Sequence, residues 1–191
     1  MQRILAISAV ALMLSVGGRA DAASITFGST TLTTTCTTDI NSNFNGAAVL
    51  SQIQGCGFTS STDPLTLLYK QNVGDSSDSG TFASSYTTTF MNSALDPKDG
   101  TVVQSGSTYM DCLACYLVVK DGNHSPAQYF FNISAWNGTD TLFLNDFWPA
   151  GGAISNIAIW GSAVATPEPA SLLLVGMGVG IAAVRRRRQA A

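Results

Sequence analysis

The stretch "CYLVVKDGNHSPAQYFFNIS", residues 115–134, decides the fold class. "CYLVVK" and "QYFFNIS" are short runs of β-branched and aromatic residues, the types that suit a pleated strand. Between them "KDGNHSP" supplies Gly, Asn, Asp and Pro, which make turns or stop a ladder. The stretch reads as strand, turn, strand, and the pattern continues in both directions. "SITFGSTTLTT", "AAVLSQI", "LTLLYK", "TFASSYTTTF" and "TVVQS" precede it, and "DTLFLN" and "AISNIAIWG" follow. Turn signals such as "NFNG", "DPKDG", "WNGT" and "PAGG" separate them. Glu, Lys and Arg, which are good helix formers, are scarce from Ser24 to Ala165, so helix is disfavoured almost throughout. Eight or nine short strands at this spacing predict an all-β fold: a single antiparallel β-sandwich, jelly-roll-like, over residues 23–165.

The three tryptophans, Trp136, Trp148 and Trp160, recur at intervals of one strand plus one turn. Repeated core placement explains that spacing. The functional alternative is an aromatic platform for sugar rings, with Trp136 and Tyr129 as the contacting residues. Four cysteines allow three pairings. The local choice joins Cys36 to Cys56 and Cys112 to Cys115, and bridges of this kind belong to an oxidising compartment. "DCLAC" contains a C-x-x-C, but a strand rather than a helix follows it, so a structural disulfide is expected in place of a redox pair.

Between residues 23 and 169 only Lys70, Lys98 and Lys120 are basic against eleven acidic residues, a net charge of −8. Such a surface repels phosphate backbones and excludes nucleic acid as a partner. Catalytic groups are few. The one histidine, His124, lies in a turn composition that suits a solvated or locally bonded imidazole, and no G-x-S-x-G elbow occurs. "NSNFNGAAVLSQ", residues 41–52, follows EF-hand spacing with every carboxylate replaced by an amide, which holds calcium weakly. No catalytic residue, cofactor or metal is expected, and the chain is read as a non-enzyme.

Both ends differ from this middle. Residues 1–22 carry Arg3, an apolar stretch from Ile4 to Val16 and the small-x-small pattern Ala20-Asp21-Ala22, which read as a signal peptide for signal peptidase. Residues 166–191 contain Pro167, Glu168 and Pro169, then an uncharged run over 170–184, then Arg185, Arg186, Arg187 and Arg188. As a helix that run is about 22 Å long against a hydrocarbon core of roughly 30 Å, so it spans marginally, with the arginines cytoplasmic. The two prolines keep the preceding segment extended and out of any ladder.

With these three features in fixed order, the tail resembles the PEP-CTERM sorting signal. The tract from Tyr116 to Ser162 also resembles the end of small β-rich ectodomains found upstream of such tails. The resemblance implies a Gram-negative source that makes exopolysaccharide. It also implies recognition of the motif by an exosortase-type membrane enzyme, transient inner-membrane anchoring, and delivery to the cell surface or extracellular matrix. A structural or adhesive role in exopolysaccharide or biofilm follows from it. The alternative is a carbohydrate-binding module attached to that polysaccharide.

Overall fold

The computed structural model describes residues 23–149 and 151–167. The expected signal peptide, Glu168, Pro169, the apolar run 170–184 and Arg185 to Arg188 lie outside the described residues. The elements are β1 (Ser24–Phe27), β2 (Thr30–Thr33), β3 (Thr37–Thr38), α1 (Gly46–Gly55), β4 (Thr66–Asn72), β5 (Tyr86–Met91), β6 (Asp99–Gln104), β7 (Thr108–Asp121), β8 (Gln128–Asn132), β9 (Leu142–Asn145) and β10 (Ile154–Pro167). Sheet one has the order β2-β1-β9-β6-β5 and sheet two the order β3-β8-β7-β10-β4. Every pairing is antiparallel. Ile25, Phe27, Leu142 and Leu144 of sheet one meet Leu117, Val119, Phe131, Ile157 and Ile159 of sheet two in one core. This is the expected sandwich.

The two sheets differ in what covers their outer faces. In β5 Tyr86 is buried and Thr87 exposed, the alternation of a strand with one wet face. In β7 every residue from Cys115 to Asp121 is buried, so both faces of this strand are covered. The second cover is α1, whose Val49, Leu50 and Ile53 pack with Tyr116, Val118 and Phe130.

The helix corrects the strand expected at "AAVLSQI". Asn45 caps it, its side chain accepting a hydrogen bond from Ala48 N at 2.9 Å. Val49, Leu50 and Ile53 then fall on one helical face. Gly46 sits against the Leu65 backbone, where a Cβ would lie 1.9 Å from the carbonyl oxygen. The expected disulfides form: Cys56, the C-cap of α1, is bridged to Cys36 just before β3. Cys112 and Cys115 are bridged within β7.

Candidate functional site

The last strand positions the sorting segment. Ile154 to Ile159 of β10 are nearly all buried, between β4 and β7. At Gly161 the strand approaches β7 so closely that a Cβ would lie 2.0 Å from the Ala114 carbonyl oxygen. Pairing with β4 ends there, at Gly161 and Thr66. Pairing with β7 continues through Ala163–Cys112, Val164–Asp111, Ala165–Met110, Thr166–Tyr109 and Pro167–Thr108. Beyond Gly161, β10 therefore has one paired side and one open side.

The expectation that Pro167 stays out of a ladder is corrected here, because it occupies the final rung. A proline lacks only the donor, and the terminus of a strand with one open side is where that loss is tolerated. The domain thus runs into the Pro-Glu-Pro segment with no spacer. The strand opposite carries an irregularity between the Ser162 and Ala163 rungs, so that Leu113 has no partner across the ladder. In a regular strand residues three apart lie about 10 Å apart on opposite faces. The irregularity brings the Cys112 and Cys115 Cα atoms to 5.5 Å, which is the reach of a disulfide.

The two rings expected to contact sugar pack on the same core against different aromatic neighbours. Trp136 is only 2% exposed; its ring lies 5.5 Å from that of Tyr86, and its indole N–H donates to the Asp140 carbonyl at 2.7 Å. It offers no face to a ligand, and its assignment as a sugar contact is corrected on that ground. Tyr129 is half-buried, met edge-on by Phe147 and Trp148 at 5.5 and 5.0 Å. Burial pushes its phenol up.

His124 is 51% exposed, with Nδ1 3.3 Å from Asp121 Oδ2. That carboxylate also accepts from Asn123 N and Ala153 N at 2.7 and 2.8 Å, so it fastens two loops together. A pocket of about 460 Å³ lies beside it, lined by Asp96, His124 and Ser155 among others. Among the described residues no group of three or more His, Cys, Asp or Glu side chains is placed to hold a metal. None of the described helices is long and apolar enough to cross a membrane.

A cationic notch on the outer face of sheet two was not anticipated from the sequence. Lys70 of β4 and Lys120 of β7 flank it, with Asn43, Phe44 and Trp160 nearby. Lys120 is 9% exposed. Its Nζ donates to Asn41 Oδ1 at 2.9 Å and to the Asp121 carbonyl at 3.3 Å. Burial and then the neighbouring Lys70 charge hold its ammonium below the usual lysine range, partly offset by Asp121. The sequence signal was available: Lys70 and Lys120, two of the three lysines between residues 23 and 169, each end a strand-like run.

Comparison with known families decides the destination of the chain. The family model of the PEP-CTERM protein-sorting motif matches residues 165–188. The chain carries a PEP-CTERM sorting motif. No curated protein and no solved structure matches the chain. The motif implies export, exosortase-dependent sorting to the cell surface, and an exosortase-type processing partner. Its matched segment begins at Ala165, inside β10, so its first three residues are also the last three rungs of sheet two.

Proposed function

We propose that the β-sandwich is the cargo of this sorting route. The signal peptide exports it, the apolar run and Arg185 to Arg188 anchor it transiently in the inner membrane, and an exosortase-type enzyme processes it at Pro167-Glu168-Pro169. It is then placed at the surface as a structural or adhesive component of the exopolysaccharide matrix, and it catalyses no reaction. The observation that carries this reading is the overlap of the sorting motif with the end of β10. The enzyme meets a stapled, folded domain directly at its recognition peptide.

In this reading Pro167 and Pro169 fix the backbone, Glu168 supplies the single charged contact, and the arginines set orientation. Replacing Pro167, Glu168 and Pro169 together by alanine tests it. The expected outcome is that the protein accumulates in the inner-membrane fraction and is lost from the surface; undiminished surface display contradicts it. The second reading, a polysaccharide-binding module, draws its support from the notch beside Trp160 and no longer from Trp136.

A further inference from the structure

We propose that the notch between Lys70 and Lys120, beside Trp160, binds a carboxylate-bearing sugar: a uronate unit of a polysaccharide. This deepens the matrix reading above and rests on it for the source of the sugar. Charge is the first argument. Neither ammonium forms an ion pair with a carboxylate among the described residues, where the one contact of that kind is between the His124 imidazole and Asp121. The two like charges repel each other, Asp121 offsets this for Lys120 only in part, and a bound anion relieves the remainder. The one other ammonium among the described residues is that of Lys98, so this notch is where two of them flank one opening.

Preorganisation is the second argument. Asn41 and the Asp121 carbonyl engage two of the three Lys120 donors and leave one for a ligand. The loop bearing Asn41 is itself fixed, because Gln128 Nε2 donates to the Ile40 and Ser42 carbonyls at 2.7 and 3.2 Å. Shape is the third. The notch measures about 20 Å³, room for about one water-sized group. It takes a carboxylate oxygen, while the sugar ring lies outside it against half-buried Trp160 and Phe44. Aromatic faces suit the C–H face of a sugar. The side-chain amide of Asn43 suits its hydroxyls.

Titration calorimetry of the full chain in neutral detergent tests the proposal. The probes are tetragalacturonate, its methyl ester, an alginate tetramer and tetraglutamate. The acid form of a uronate is expected to bind about tenfold more tightly than its ester, the worth of one hydrogen bond to a charged group. Lys70→Gln is expected to weaken binding by a similar factor while leaving the melting temperature unchanged or raised. Amide shifts in the unmutated protein are expected to cluster at residues 41–44, 70, 120 and 160, a readout that no variant's folding affects.

No binding of either uronate overturns the proposal, as do equal binding of acid and ester or shifts confined to another surface. Equally tight tetraglutamate binding overturns the sugar assignment. Because the titration uses purified protein, failure of sorting in cells leaves its outcome unchanged, and the two readings fail separately.

Discussion

Tyr86, fully buried, satisfies two backbone groups of the interior with one hydroxyl. Its hydroxyl donates to the Gly138 carbonyl at 2.7 Å and accepts from Met110 N at 2.8 Å, tying the loop after Trp136 and β7 to β5. Tyr86→Phe strands both backbone groups in the core. A loss of roughly 2–3 kcal/mol is expected in urea denaturation, because buried groups left without partners cost more than the bond was worth. Burial pushes its phenol up to about 12. The phenol of the unfolded chain ionises near pH 10. Tyr86 therefore stabilises the fold below pH 10, and that contribution is lost as pH rises from 10 towards 12. Tyr69 is raised in the same direction, chiefly by burial. Melting temperatures measured from pH 8 to 12 should fall in that window, and less steeply in Tyr86→Phe. At this scale the sequence was least legible: the tryptophan spacing was regular, yet spacing alone does not say which face a ring takes. Trp136 turned inward, and Trp160 packs half-buried on the outer face of sheet two beside two lysines.

At the scale of elements, the runs around 115–134 and 153–161 were legible as strands because β-branched and aromatic residues lay between unmistakable turns. The helix was not, since Ala47 to Ile53 was read as an apolar run instead of as an i, i+1, i+4 face preceded by an asparagine cap. The continuous burial of β7 was the missing clue: a sandwich strand apolar on both faces requires a second cover. Cys36–Cys56 staples that cover. Separate replacement of each pair by serine should rank the two bridges, with about 3 kcal/mol lost for the longer loop and about 1.5 kcal/mol for Cys112–Cys115 on chain entropy alone. The last rungs of β10 hold the start of the sorting motif in a ladder, so a processing enzyme has to work against them. Six Gly/Ser residues inserted between Thr166 and Pro167 should speed processing in a pulse–chase experiment; an unchanged rate would mean that the ladder end is already open.

At the scale of the whole molecule, two instructions lie on one chain. The middle folds as an acidic, doubly stapled sandwich, and the C-terminal segment addresses it. Composition separated these parts without any coordinates, because Arg185 to Arg188 and the single glutamate of the chain sit outside the strand pattern. Their junction was not legible, since nothing in "AVATPEP" tells where a ladder stops. The central claim is that this junction is processed. Mass spectrometry of the C-terminal peptide from surface-fraction protein tests it most directly: a mature chain ending near Pro167 to Pro169 and lacking Arg185 to Arg188 is predicted, whereas an intact tail reaching Ala191 would contradict it.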